Sequence, residues 1–227
     1  MIINGDIDIK IFGASISSKI IHPTNIEIEK ENNKKISSKK YYKKIELKIL
    51  FQGKNRDEIY LNISNFMKYF IDEVRVKFKN LKNEYICFIK DSNVEEPEIN
   101  EWLYLHLQLD SIELGEEKVE MINRTLSKEI NILGNIETPA IIEITPSIGV
   151  VDLKINGLGD DPITIKNLEI NKKIIINGDE GTVLQEGINK FNDIDMWEFP
   201  ILYPGRRNIT LSKNNCDVTI KYNPRYI

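Results

Sequence analysis

Residues 103–109 read LYLHLQL, with a leucine at every second position and Tyr104, His106 and Gln108 between them. Successive side chains of a strand point to opposite faces of a sheet, so this alternation predicts a strand with one buried face. The same period recurs at Ile7, Ile9 and Ile11, at Ile45, Leu47, Ile49 and Phe51, at Val74, Val76 and Phe78, and at Val218, Ile220 and Tyr222. The sequence therefore predicts a mainly β protein.

One segment has helical periodicity instead. Between residues 57 and 70 the apolar side chains recur at the spacing of one helix face, namely Ile59, Ile63, Phe66, Met67 and Phe70. Asn55, followed three residues later by Glu58, resembles a capping box at a helix N-terminus. We expect one amphipathic helix over about residues 57–70, packed by its apolar stripe against an N-terminal sheet.

The chain is expected to form two domains that meet near Leu133-Gly134-Asn135. Residues 116–132 are polar and weakly periodic, and Thr138-Pro139 then leads into an extended segment. The prediction is an N-terminal β-barrel or sandwich domain over residues 1–134 and a C-terminal β-sandwich over residues 135–227.

Turn signals support the sandwich prediction for the C-terminal part. Short candidate strands follow one another there with a turn roughly every 8 to 12 residues, which is typical of β-sandwiches. Asn156-Gly157 and Asn177-Gly178 supply residues that tolerate a positive φ in tight turns. We expect both glycines to occupy such turns.

Composition excludes several classes of partner. The chain is 41% hydrophobic and 29% charged, with a net charge of −4, so its overall charge does not favour nucleic acid or an anionic membrane. No stretch approaches the roughly 18 apolar residues of a membrane span, and the N-terminus lacks the pattern of a signal peptide. We expect no membrane partner and no specific nucleic acid.

The residues that commonly carry chemistry form no recognisable active site. His22 and His106 have no other ligand at metal-binding spacing and are expected at the surface, whereas Cys87 and Cys216 are expected to be buried thiols. Paired carboxylates such as Asp160-Asp161 indicate surface loops, because a hydrolase would need two acids held across a cleft. We assign no catalytic, cofactor-binding or metal-binding residue, expect no cofactor and do not expect an enzyme.

A carbohydrate-binding module is the alternative interpretation. β-Sandwiches can bind sugars by stacking the ring on aromatic side chains, and the C-terminal part holds Trp197, Phe199, Tyr203, Tyr222 and Tyr226. Aromatic residues at strand spacing also serve as core or interface anchors, and the sequence leaves both roles open.

Charge is segregated along the first half of the chain. Residues 30–54 contain nine lysines and two glutamates, whereas residues 91–120 contain ten acidic residues and one lysine. The two segments are either solvated surfaces or complementary patches that meet between copies in a ring, because complementary charge sets orientation at interfaces. A nucleic-acid-binding surface is the third interpretation, which the lack of arginine and of a recognisable binding motif in the lysine-rich segment disfavours.

The C-terminal motifs resemble those of phage distal tail proteins. They are the Pro-initiated apolar strand 139–144, the hairpin 175–181, the segment FPILYPGRRNI at 199–209 and the segment VTIKYNPR at 218–225. The order of elements before residue 135, a strand at 44–51, a helix and then strands at 74–78 and 85–89, is similar to that of the same family. Arg206-Arg207 departs from the family pattern, in which the asparagine lies closer to the glycine.

The resemblance implies a structural role at a tail tip. Members of that family form a hexameric ring through the N-terminal domain, and their C-terminal domain is a galectin-like β-sandwich. The ring connects the tail tube to tail-associated, tail-fibre or receptor-binding proteins. The expected location is the tail tip of a phage, or of a related phage-tail-like bacteriocin, after synthesis in the cytoplasm of the host bacterium.

Overall fold

The computed structural model describes residues 1–24, 26–31, 34–40 and 42–227, with backbone alone for 26–31 and 34–40. Within these ranges the chain is mainly antiparallel β-structure with one α-helix, which confirms the predicted fold class. It divides into two compact units, Met1–Leu114 together with Ile227, and Gly115–Tyr226. No helix among the described residues is long and apolar enough to cross a membrane.

In its described ranges the first unit contains nine strands and the α-helix. The strands are β1 Ile2–Ile3, β2 Ile7–Asp8, β3 Ala14–His22, β4 Ile26–Glu31, β5 Lys34–Lys40, β6 Lys43–Gln52, β7 Val74–Lys77, β8 Glu84–Glu95 and β9 Trp102–Leu114. Seven of them form one antiparallel sheet in the order β2-β1-β7-β8-β9-β6-β3, and β4 pairs with β5. The four alternating leucines of β9, Leu103, Leu105, Leu107 and Leu109, are buried in the core of this unit, as their alternation predicts.

The predicted helix is confirmed as α1, Arg56–Met67, and it continues as a 3-10 turn over Lys68–Phe70. The Asn55 side chain accepts a hydrogen bond from the Glu58 N–H at 2.9 Å, which satisfies one of the free donors of the first turn. Phe66 is fully buried on the helix face that meets the sheet, and its ring centroid lies 5.5 Å from that of Phe51 on β6. Burial of this aromatic face against β6 stabilises the helix in its place.

The alternation of Ile7, Ile9 and Ile11 does not produce a strand of that length. Strand β2 ends at Asp8, and residues 9–12 form a 3-10 helix that leaves Ile11 69% exposed. The Asp8 carboxylate accepts a hydrogen bond from the Lys10 N–H at 3.2 Å, and Gly13 ends the turn at φ +66°. These two local interactions favour the turn over an extended chain, so the prediction of a strand through Ile11 is wrong.

The second unit is a β-sandwich. Its strands are β10 Lys118–Asn123, β11 Ser127–Ile132, β12 Thr138–Pro139, β13 Ile141–Pro146, β14 Val150–Asn156, β15 Ile163–Leu168, β16 Ile174–Asn177, β17 Thr182–Gln185, β18 Ile188–Asn189, β19 Ile194–Asp195, β20 Ile201–Leu202, β21 Gly205–Leu211, β22 Cys216–Tyr222 and β23 Arg225–Tyr226. One sheet has the order β10-β22-β13-β16-β17-β18 and the other β11-β21-β14-β15-β19. Both contribute alternate side chains to one apolar core.

Two strands place the start of the sandwich earlier than the expected boundary between residues 134 and 135. Strand β10 pairs along its whole length with β22, and β11 pairs along its whole length with β21. Because of this pairing, the polar segment before Leu133 belongs to the second unit. Its weak hydrophobic periodicity results from edge positions, because both strands lie at the edge of their sheets and each exposes half of its side chains.

The glycines of the two Asn-Gly pairs are required for different structural reasons. Gly157 has the expected positive φ, +91°. Gly178 does not, and a Cβ built on it would lie 2.5 Å from the Pro200 carbonyl oxygen and 2.8 Å from that of Ala140. Gly178 is therefore required by the close approach of two neighbouring backbone segments rather than by a left-handed turn.

Candidate assembly surface

The histidines pair with neighbouring carboxylates at the surface of the first unit. His106 Nε2 lies 2.7 Å from Glu95 Oε2, and His22 Nε2 lies 3.2 Å from Glu46 Oε1. Glu95 also accepts from Lys48 at 2.8 Å, and the Lys48 and His106 hydrogen bonds lower the pKa of this carboxyl. No group of three potential metal ligands converges among the residues that the structure describes.

The two cysteines are buried thiols, as predicted. Cys87 and Cys216 are each fully buried and free of disulfide bonding. Burial raises the pKa of the Cys87 thiol to about 12, and burial likewise raises the pKa of Cys216. Neither thiol has the thiolate character that a nucleophile requires.

The five aromatic side chains considered for sugar stacking are divided between core and surface. Trp197 is 89% exposed, whereas Tyr222 is buried in the sandwich core and its hydroxyl accepts a hydrogen bond from the Leu133 N–H at 3.4 Å. Phe199 packs against the same core. The aromatic set therefore does not provide one continuous stacking platform.

The sheet of the first unit has two open edges on opposite sides. Only the beginning of β8, Glu84–Cys87, pairs with β7, so residues 88–95 have β9 as their one strand neighbour among the described residues. Strand β3 forms the opposite edge and pairs with β6 alone in the described part of the chain. An unpaired edge leaves backbone donors and acceptors available for another chain.

The strand register places the two open edges at the same height, meaning the same position along the strand direction. One row across β8, β9, β6 and β3 consists of Glu95, Tyr104, Leu50 and Ser15, and another consists of Ile89, Leu109, Ile45 and Ile21. The stretch between these rows is about 17 Å long at the usual rise of a strand. The middle of the first unit is thus a four-stranded sheet whose two outer strands, β8 and β3, each lack a partner on one side among the described residues.

A pocket of about 400 Å³ borders the β3 edge. Its lining includes all of residues 14–19, and the buried side chains of Ile9, Ala14 and Phe78 give it an apolar floor. Exposed Lys10 and Lys79 stand at its rim, where Lys79 lies 3.5 Å from Asp8. We call this site the β3 pocket. No single stretch of sequence predicts it, because it combines residues from four separated segments, namely Met1, 8–10, 14–19 and 78–80.

The loop that joins β8 to β9, residues 96–101, is acidic and well anchored; we call it the hairpin tip. Arg56 Nη2 donates to the Pro97 carbonyl at 2.7 Å, and the Glu96 carboxylate accepts from the Tyr60 hydroxyl. The Trp102 N–H donates to the Ile99 carbonyl at 3.2 Å and closes the loop. These hydrogen bonds hold the tip against the start of α1.

Several of the complementary charges noted in the sequence pair within one chain. Lys48 binds Glu95, and Lys43 binds Glu113, because β6, β9 and β8 are neighbours in the sheet. These four side chains are therefore engaged within their own copy and are not the free patches that the charge pattern suggests. The side chains of the lysine-rich stretch 30–40, and Tyr41, lie outside the described residues.

The sequence matches one family model over its C-terminal part. Residues 133–226 match the model described as the siphovirus-type tail component, C-terminal domain. The matched region contains the four motifs that carry the resemblance to phage distal tail proteins. No curated protein sequence is significantly similar to the chain.

The fold is similar to solved structures of phage tail proteins over nearly the full length of the chain. The crystal structure of the SPP1 Dit protein aligns with a TM-score of 0.72 and 10% identity, covering 100% of this chain and 98% of that one. Two structures of the phage P2 baseplate in its activated conformation, one with Ca and one with Sr, align with a TM-score of 0.53 and 13% identity. Each covers 94% of this chain and 92% of the other. The resemblance of this chain to phage distal tail proteins is thereby confirmed, in sequence over residues 133–226 and in fold over its whole length.

Proposed function

We propose that this chain is a structural hub of a phage tail tip or baseplate. The observation that carries the proposal is the full-length fold likeness to SPP1 Dit, a protein described as a paradigm of the hub adsorption apparatus in phages that infect Gram-positive bacteria. The family match over residues 133–226 supports the same role independently, because it rests on sequence.

In this proposal the hub is a homo-oligomeric ring, with six copies. A heterologous contact repeated by a fixed rotation closes into a ring when each copy presents two different complementary surfaces. The first unit offers two such surfaces, the open edge of β8 and the open edge of β3. We therefore assign ring formation to the first unit.

The proposed partners are other tail proteins. The ring joins the tail tube on one side to tail-associated, tail-fibre or receptor-binding proteins on the other, after synthesis in the host cytoplasm. We assign the chain no catalytic role, because the family model and the aligned structures are those of structural tail components.

Immunogold electron microscopy of intact tailed particles tests this assignment. Antibodies raised against the purified chain should place gold at the distal end of the tail in particles of the phage or bacteriocin that encodes it. Particles that carry no label at the tip, while disrupted particles yield no chain on immunoblots, would reject the hub role.

A further inference from the structure

The β3 pocket and the hairpin tip lie at the same height on opposite edges of one sheet. Ser15 lines the pocket and stands in the same row as Glu95, the last residue before the tip. In a ring whose axis runs along these strands, a neighbouring copy would keep this height. The tip of one copy would then reach the β3 pocket of the next without a shift along the strands.

The two surfaces are complementary in charge. Lys10, Lys19 and Lys79 line the pocket, and Lys79 lies 3.5 Å from Asp8, the one carboxylate of the lining, so positive charge remains in excess there. The tip carries exposed Glu98 and Glu101, and no described residue forms an ion pair with either of them. Opposite charges on matching surfaces set the orientation and register of an interface.

The two surfaces are also complementary in polarity. Ile99 stands between Glu98 and Glu101 of the tip and is 45% exposed, so its apolar side chain is available for contact with another copy. The floor of the β3 pocket includes the buried side chains of Ile9 and Phe78, and the Lys19 ammonium lies 4.3 Å from the centroid of the Phe78 ring. An apolar anchor in a pocket with a charged rim is the typical anatomy of a protein interface.

The tip is organised for binding before any contact forms. Its hydrogen bonds to Arg56 and Tyr60 fix it against α1, so little conformational entropy is lost on docking. Regular strand addition along the two open edges is less suitable, because a register shift follows Ile16 in β3 and another follows Ile89 in β8. Such irregularities interrupt continuous backbone pairing between the edge strands of two copies. Side-chain contacts must then provide the recognition of one copy by the next.

We propose that the hairpin tip of one copy docks in the β3 pocket of the next copy, with Ile99 on the apolar floor and Glu98 and Glu101 against Lys10 and Lys79. This inference rests on the proposed ring and names the contact that builds it. The contact is heterologous: each copy uses its tip on one side and its pocket on the other.

Two double charge reversals test the contact by complementation. The tip variant carries Glu98→Lys and Glu101→Lys, and the pocket variant carries Lys10→Glu and Lys79→Glu. All four side chains are exposed, so both variants should keep the circular dichroism spectrum and thermal midpoint of the unaltered protein to within a few degrees. Native mass spectrometry then measures the oligomers of each full-length variant alone and of an equimolar mixture.

Each variant alone should lose at least tenfold of its ring signal, because its tip and pocket then have the same charge. The mixture should recover rings with equal numbers of the two variants, since each tip meets a pocket of opposite charge when the copies alternate. Rings formed by either folded variant alone, or folded variants that fail to assemble on mixing, would overturn the proposed contact. Unaltered protein that stays monomeric would instead reject the proposed ring, and the contact with it.

Discussion

Arg56 Nη2 donates a hydrogen bond of 2.7 Å to the Pro97 carbonyl oxygen, and this bond joins the first residue of α1 to the hairpin tip. The same guanidinium lies 3.5 Å from the Glu96 carboxylate. The start of the helix therefore acts as a support for a loop that is 41 residues away in sequence. The position of the tip depends on this support as much as on its own residues.

Replacing Arg56 by alanine should release the tip while leaving the unit folded. We expect faster amide exchange in residues 96–101, measured by hydrogen–deuterium exchange mass spectrometry, because the tip loses its anchor to α1. The exposed neighbour Lys54, replaced by alanine, is the matched control and should leave exchange in the tip unchanged. Equal exchange in Arg56→Ala and the unaltered protein would show that the tip is held by other contacts.

The N-cap of α1 should contribute measurably to stability. Asn55→Ala removes the acceptor for the Glu58 N–H and should lower the free energy of unfolding by about 1 kcal/mol, measured by chemical denaturation. Asn65→Ala, at an exposed position inside the same helix, should instead be neutral or slightly stabilising, because alanine has the higher helix propensity. The capping account is wrong if the two variants have the same stability.

Glu143 should make stability depend on acid pH. Its carboxylate accepts from Lys173 at 2.8 Å and from Lys221 at 2.5 Å, and these hydrogen bonds lower its pKa from the ordinary value of 4.5. Because the folded-state pKa lies below the unfolded-state value, the stabilisation is present above pH 4.5 and disappears as the pH falls through the folded-state pKa. The free energy of unfolding should therefore fall less between neutral and acid pH in Glu143→Gln than in the unaltered protein.

The exposed Glu129 is the control for that measurement. Glu129→Gln should follow the pH dependence of the unaltered protein. A Glu143→Gln curve that runs parallel to both over the whole pH range would refute the contribution of this ion pair.

Replacing Gly178 by alanine, which adds a single methyl group, should destabilise the fold. A methyl group there would meet the Pro200 and Ala140 carbonyl oxygens well inside contact distance, so Gly178→Ala should cost about 1–3 kcal/mol of unfolding free energy. Gly149 is exposed and has no neighbour closer than 4.0 Å to a built Cβ, so Gly149→Ala should be tolerated. Thermal denaturation of both variants measures the difference, and equal midpoints would contradict the close approach seen at Gly178.

The fold was largely predictable because a buried sheet face leaves a periodic mark in the sequence. The leucines of β9 and the apolar stripe of α1 are local patterns, and both lie where their periods predict. Local patterns were misleading where a short-range contact decides the conformation. Asp8 and Gly13 turn residues 9–12 into a 3-10 helix although the isoleucines alternate.

The candidate surface was predictable only in part. The acidic character of the hairpin tip is visible in the sequence, since residues 95–101 read EEPEINE. The β3 pocket is not visible, because Lys10, Ser15 and Lys79 come together only through the pairing of distant strands. The partners of Lys43 and Lys48 were hidden for the same reason, and so the charge pattern overstated how much charge is free to bind another copy.

Native mass spectrometry of the purified full-length chain, recorded over a range of protein concentrations, measures the central claim most directly. The account predicts one closed oligomer of defined copy number, six, that persists on dilution and dissociates into folded monomers as ionic strength rises, because salt screens exposed charge pairs. A chain that remains monomeric at every concentration, or that forms oligomers of unlimited and variable size, would contradict it.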